Sequence, residues 1–191
     1  MPTVGCRAED VVSAQGWEHV VKSSFKWSVL VAVTPTAAAT RSTQKLGALT
    51  LVLDHSAQPP ATAVAALQGY DEFERSVNNL MATNVEDANL AKRGAPAAIK
   101  QFRDVARDQK AKAEHAGGLI TVATKVDRVN EAVALLTGCY DQSKSVLVRS
   151  NGTTYVGALT KQYPRMQLRV VVSNVASRWM VTEYDLKATK C

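Results

Sequence analysis

The residues able to do chemistry are few and scattered. The chain has three cysteines, Cys6, Cys139 and Cys191, and three histidines, His19, His55 and His115. The cysteine spacing fits neither a zinc motif nor a redox Cys-x-x-Cys pair. No Gly-x-Ser-x-Gly elbow, His-Glu-x-x-His pair or P-loop is present. Chemistry in a closed pocket would need a buried carboxylate or histidine among apolar walls. Asp127, Glu131, Asp141, Glu183 and Asp185 are the candidate carboxylates, and nothing in their spacing singles one out. Asp141 reads as a turn acceptor. His115 reads as a surface residue at a helix C-terminus, where partial positive charge suits the dipole. No catalytic residue, no metal ligand set and no cofactor is therefore assigned.

Cys139 and Cys191 suggest a different use. A terminal residue ordinarily frays, so a cysteine there gains little from packing, and a covalent tie between Cys139 and Cys191 is the natural reading. Such a bond belongs to an oxidising compartment; the alternative is a set of reduced thiols in a cytosolic protein. An export signal is sought accordingly. Lys22 and Lys26 precede the apolar run 27–33, which leads to Ala37-Ala38-Ala39. This is the basic, apolar, small-residue order of a signal segment, placed far from Met1. A second apolar run, 46–53, follows Arg41 and Lys45. Thr3-Val4-Gly5-Cys6 partly resembles a lipoprotein cleavage box but has no apolar segment before it.

The charge is +6 over 191 residues, which raises the question of nucleic acid. Its densest basic run, Lys92, Arg93, Lys100, Arg103, Arg107, Lys110 and Lys112, is diluted by Asp104 and Asp108, with Phe102 its single aromatic. Helical spacing pairs Lys100 with Asp104. The run reads as a solvated helix face, with peripheral contact to an anionic membrane as the second reading and no nucleic-acid partner.

The elements that must position these residues follow from punctuation and period. Gln58-Pro59-Pro60 breaks the chain, giving a poorly ordered leader over residues 1–60 and a domain over 61–191. A helix is predicted over 61–84, capped by Thr62, with Leu67, Tyr70, Val77, Leu80 and Met81 on one face. A second is predicted over 95–115, opened by Pro96, striped by Ile99, Phe102, Ala106 and Ala113, and stopped by Gly117-Gly118. Period-two runs then give strands over 119–129, 132–140, 166–172 and 179–186; residues 145–149 continue the second or begin another, before a turn at Asn151-Gly152. Two helices before a run of strands give an α+β fold with the helices on one face of a curved antiparallel sheet. Tyr70, Phe102, Trp179 and Tyr184 are the candidate pocket-lining residues, although aromatic core packing explains Tyr70, Trp179 and Tyr184 as well.

Several segments carry a resemblance: Gly138-Cys139-Tyr140-Asp141-Gln142-Ser143, Arg178-Trp179-Met180-Val181-Thr182 and Thr189-Lys190-Cys191. Residues 62–191 are similar to a family of secreted proteins and lipoproteins of actinobacteria. That family carries a Cys-x-Asp-x-Ser segment and a Trp-x-Val-Thr strand before a terminal cysteine. The family's Asp-Gly-Arg-Trp turn is replaced here by Val175-Ala176-Ser177-Arg178-Trp179. The resemblance implies a cystatin-like roll, the shape shared with nuclear transport factor 2, and an exported location in the cell envelope. More distant proteins of this shape assemble secretion and cell-entry machinery. The expected role is a non-catalytic binding or scaffold domain, with an envelope protein or a small apolar ligand as partner. The alternatives are a small isomerase- or dehydratase-type enzyme using the roll's pocket, and a cytosolic or phage-encoded accessory protein.

Overall fold

The computed structural model describes residues 40–55, 59–189 and 191. Its first elements are strands β1 (Thr40–Leu46) and β2 (Leu49–His55), joined through Gly47 at a φ of +56°. In β2 the alternation Leu49, Leu51, Leu53, His55 is an inward face, and all four are buried. The segment expected to be leader is thus, over 40–55, part of the folded sheet. The proline break at 59–60 is a link within the domain rather than its border, because three leucines at period two require a core to cover them.

A single 3₁₀ turn (Ala61–Ala63) leads into helix α1 (Val64–Thr83). Ala63 stands at the cap position with no side-chain cap, so Thr62 does not serve there. The buried stripe of α1 includes Ala66, Leu67, Tyr70, Phe73, Val77 and Leu80. Asn84 ends it in the left-handed region at φ 57° and donates Nδ2 to the Glu114 carbonyl at 2.7 Å. Short helix α2 (Leu90–Arg93) follows, and then α3 (Pro96–Ala111), with Pro96 in its first turn as expected.

Helix α3 stops earlier than its spacing suggests: Ala113 turns the chain at φ 54°. Strand β3 (Glu114–Val129) therefore begins where helix was expected and contains His115, Gly117 and Gly118. The glycine pair is not a helix stop. Gly118 has φ +81°, and a Cβ there would lie 2.3 Å from the Lys144 carbonyl, beside the register shift at Leu119–Thr121. Only glycine fits that irregularity in the ladder. Strand β4 (Val133–Arg149) is one long strand spanning both predicted runs. After the Asn151-Gly152 turn come β5 (Thr154–Tyr155), α4 (Ala158–Gln162), β6 (Arg165–Val175) and β7 (Arg178–Lys187).

The result is an α+β fold with a seven-stranded sheet ordered β1-β2-β3-β4-β6-β7, and β5 pairs with β4. The sheet is mixed rather than antiparallel: β2 runs parallel to β3, Leu49 opposite Gly118 through Asp54 opposite Ala123. Every other strand pair is antiparallel. Helices α1 and α3 meet the sheet through aromatic rings: Phe73 and Phe102 lie 5.7 and 5.1 Å from Tyr184 of β7, and 6.1 Å from each other. Val122, Leu136, Leu168, Val170 and Val181 supply the sheet's share of this core. Cys139 on β4 is bonded to Cys191, with Cα atoms 5.6 Å apart. No helix among the described residues is long and apolar enough to cross a membrane.

Candidate functional site

Helix α3, strands β3 to β5 and helix α4 enclose a cleft of about 380 Å³. This lies within the ~300–1,000 Å³ range of small-molecule sites. Val105, Ile120, Val146, Leu147 and Leu159 form its apolar walls. Met81, Val105, Tyr140, Gln142 and Leu159 also line an adjoining lobe of about 230 Å³ that reaches Phe102, Met166 and Leu186. Leu159 is 63% exposed, an apolar lip on α4.

One end of the cleft is polar. Glu114, the first residue of β3, is buried; its Oε1 accepts the Tyr155 hydroxyl at 2.6 Å and Arg149 Nε at 3.5 Å. The Arg149 guanidinium lies 4.6 Å from the centre of the Tyr155 ring. The bond to Glu114 raises the Tyr155 hydroxyl above its ordinary pKa. Beside this group Gln109 of α3 is 7% exposed, and its Oε1 is buried without a hydrogen-bond partner. The Asp108–Lys112 ion pair, at 2.6 Å, stands on the rim. Toward α4, Ser145 and Thr160 bring their hydroxyls to 3.2 Å.

Tyr140 is 8% exposed and forms a wall of both lobes. It also lies within electrostatic reach of a second polar group, on α1, in which Glu74 is fully buried and accepts Asn78 Nδ2 at 3.1 Å. Its other oxygen, Asn78 Oδ1 and the hydroxyls of Tyr70 and Tyr184 are buried around it. Burial pushes the Glu74 carboxyl up to about 7, against the opposing pull of the nearby Tyr184 and Tyr70 hydroxyls. Burial likewise raises the hydroxyls of Tyr70, Tyr184 and Tyr140, and Glu74 adds to it. Glu74 is thus a buried carboxyl that changes its charge near neutral pH.

A third group has the residue types of a charge relay. His55 Nδ1 lies 2.7 Å from Thr124 Oγ1, and its Nε2 lies 2.8 Å from Asp71 Oδ1. Thr124 and His55 are each 4% exposed. A nucleophile must meet its substrate, and this hydroxyl is sealed. The array ties β2, β3 and α1 together; Arg75 completes it at 3.6 Å from Asp71.

No family model and no curated protein matches this chain. Among solved structures it is similar to the intermembrane space region of the chloroplast protein ARC6, at 17% identity and a TM-score of 0.48. That match covers 69% of this chain and 100% of the other. It is also similar to a Xanthomonas campestris structure assigned as a calcium/calmodulin dependent protein kinase II association domain, at 17% identity and a TM-score of 0.37. There the coverage is 71% of this chain and 91% of the other.

Of the residues expected to line a pocket, Phe102 does so. Tyr70 and Tyr184 do not line this cleft; they belong to the core around Glu74. Trp179 is half-buried, with its main chain against Gly69 and its carbonyl accepting Arg93 Nη1 at 3.3 Å. The five carboxylates considered from sequence are engaged elsewhere or exposed. Asp141 takes the Ser143 main-chain and side-chain donors and Arg165 Nε at 2.9 Å. Asp127 accepts Thr137 at 2.8 Å, Glu183 and Asp185 share Arg169, and Glu131 is exposed. His19 and Cys6 lie outside the described residues. Along the basic run, Arg93, Lys100, Arg103, Arg107 and Lys112 each face a carboxylate, as a solvated helix face requires.

The polar end of the cleft escapes sequence reasoning because Gln109 and Glu114 look like the exposed positions of one continuous helix. Glu74 carried a signal, since it falls on the same helical stripe as Tyr70 and Val77. So did His55, the fourth term in the series begun by Leu49.

Proposed function

We propose that this chain is a non-catalytic binding domain of an exported protein, built on the cystatin-like roll shared with nuclear transport factor 2, whose cleft receives an elongated apolar ligand. The observation that carries the reading is a cleft with long apolar walls and a single polar end. A general base needs a lone pair within reach of its substrate. Glu114 gives Oε1 to Tyr155 and Arg149, and Glu74 stands behind Tyr140, outside the cleft.

Export is supported by the Cys139–Cys191 bond, because structural disulfides form and persist in oxidising compartments. The roll is supported by the order of elements from α1 to β7 and by the resemblance in Cys139-x-Asp141-x-Ser143 and Trp179-x-Val181-Thr182. The actinobacterial envelope is the location this resemblance favours.

The test is titration with the neutral apolar dye N-phenyl-1-naphthylamine. Saturable binding is expected for the wild type, with affinity reduced at least about tenfold in Val105→Arg, which places a charge in both lobes. Folded wild-type protein that shows no saturable binding would refute the reading.

A further inference from the structure

We propose that the mouth of the cleft docks on an anionic lipid bilayer, with Val156 and Leu159 entering the interface and Lys161 facing the lipid headgroups. The delivery of ligand that this allows rests on the cleft being a ligand site, as proposed above.

The mouth forms where the sheet changes neighbours. Strand β6 pairs with β4 from Val133 only as far as Asp141. Beyond that point β4 pairs with β5, at Leu147 and Val148, and α4 follows. Helix α4 and the turn after it are held to β4 by polar ties: the Ser145 and Thr160 hydroxyls at 3.2 Å, and Gln142 Nε2 donating to the Tyr163 carbonyl at 2.8 Å. No residue of α4 is buried. Its leucine, Leu159, lines the cleft and is also the most accessible part of the rim, at 63% exposure. Val156, three residues earlier, is exposed as well. Tyr155 and Gly157 on either side of it line the cleft, but Val156 does not. One exposed apolar side chain is ordinary. Two of them at the opening of an apolar cleft make a patch that marks a contact surface.

Charge decides what covers it. The cations at this end are Lys112, Arg149 and Lys161, and the acids are Asp108 and Glu114, of which Glu114 is buried. Asp108 takes Lys112 at 2.6 Å and Glu114 takes Arg149 at 3.5 Å. Lys161 is exposed and makes no ion pair among the described residues. The surplus is positive, and it stands two residues from Leu159. An apolar pair beside an unpaired lysine suits the boundary of an anionic bilayer: the aliphatic groups leave water and the ammonium meets the headgroups. An elongated apolar ligand also resides in the bilayer rather than in water. A mouth set on the bilayer passes such a ligand to the cleft without exposing it to solvent.

The experiment is flotation of the full chain with vesicles of phosphatidylcholine alone and with vesicles containing about one-third phosphatidylglycerol. The wild type is expected to partition at least about tenfold more strongly to the anionic vesicles, and to lose that advantage at high salt, which screens exposed charge. Val156→Asp and Lys161→Glu should each lower this partition by at least about tenfold. Both should keep wild-type dye binding and melting temperature, since neither residue lines the cleft. Absence of wild-type binding to anionic vesicles, with dye binding intact, overturns the docking and leaves the binding domain standing. Binding undiminished in both variants belongs to another part of the chain and overturns the docking as well. So does a wild-type dimer that Val156→Asp disperses in analytical ultracentrifugation, because a second copy then covers this surface. Vesicle binding without saturable dye binding overturns the delivery of ligand together with the ligand site.

Discussion

Replacing Glu74 with glutamine should remove a pH dependence from the stability of this protein. The carboxyl is fully buried, and its pKa moves from 4.5 to about 7 on folding, chiefly through burial. A group whose folded pKa is raised binds its proton more tightly in the native state. Its contribution is therefore complete below pH 4.5 and is lost as pH rises toward 7. The shift of about 2.5 units, at 1.36 kcal/mol each, is worth on the order of 3 kcal/mol. That is a large share of the ~5–15 kcal/mol that holds a domain together. Glutamine cannot ionise and keeps the size and the hydrogen-bonding reach of the protonated acid. The assay is urea unfolding of wild type and Glu74→Gln from about pH 4.5 to about pH 8, read as the difference between the two curves. The difference isolates Glu74 from Asp141, Asp127 and Glu86, whose pKa values are lowered and whose stabilisation is lost only as pH falls below about 4. The variant should gain on the wild type by about 3 kcal/mol across the window and then hold a constant lead. Parallel curves, or a wild type that gains stability relative to the variant as pH rises, would refute the reasoning.

Cys191→Ser opens a loop of 52 residues; chain entropy puts the loss at about 4 kcal/mol, seen as a lower urea midpoint in the variant, with non-reducing peptide maps of the wild type containing a Cys139–Cys191 pair. His55→Leu strips Asp71 and Thr124 of their buried partner. It should cost about 2–3 kcal/mol, with hydrogen exchange accelerating in β2 before β6; a variant as stable as wild type would remove His55 from the structural ties.

How much was legible depended on how local the information was. Helices α1 and α3 and strands β6 and β7 follow from periods of 3.6 and 2 in Leu67–Leu80, Ile99–Ala106, Met166–Val172 and Trp179–Leu186, which any short window contains. The Cys139–Cys191 tie followed from the position of Cys191. Strand β2 was missed for the opposite reason. Its apolar run, beside an earlier one, has the look of a leader, and the partner that makes it a strand is β3, a distant segment whose register no local pattern encodes. Gly117-Gly118 misled because glycine serves both helix ends and strand irregularities, and the choice rests on the approach of the Lys144 carbonyl. Once the second helix was carried through to His115, Gln109 and Glu114 became surface residues and the polar end of the cleft disappeared from view.

The parallel pairing of β2 with β3 also sets an order of events as the chain emerges. Leu49 finds its place only when Gly118 is available, 69 residues later by their numbers. At ~5–20 residues per second, a chain leaving the ribosome keeps that hairpin waiting for roughly 3–14 s. Until then Leu49, Leu51 and Leu53 have only β1 and the face of α1 to pack on. Among the described strands, β2 thus waits longest for its second neighbour.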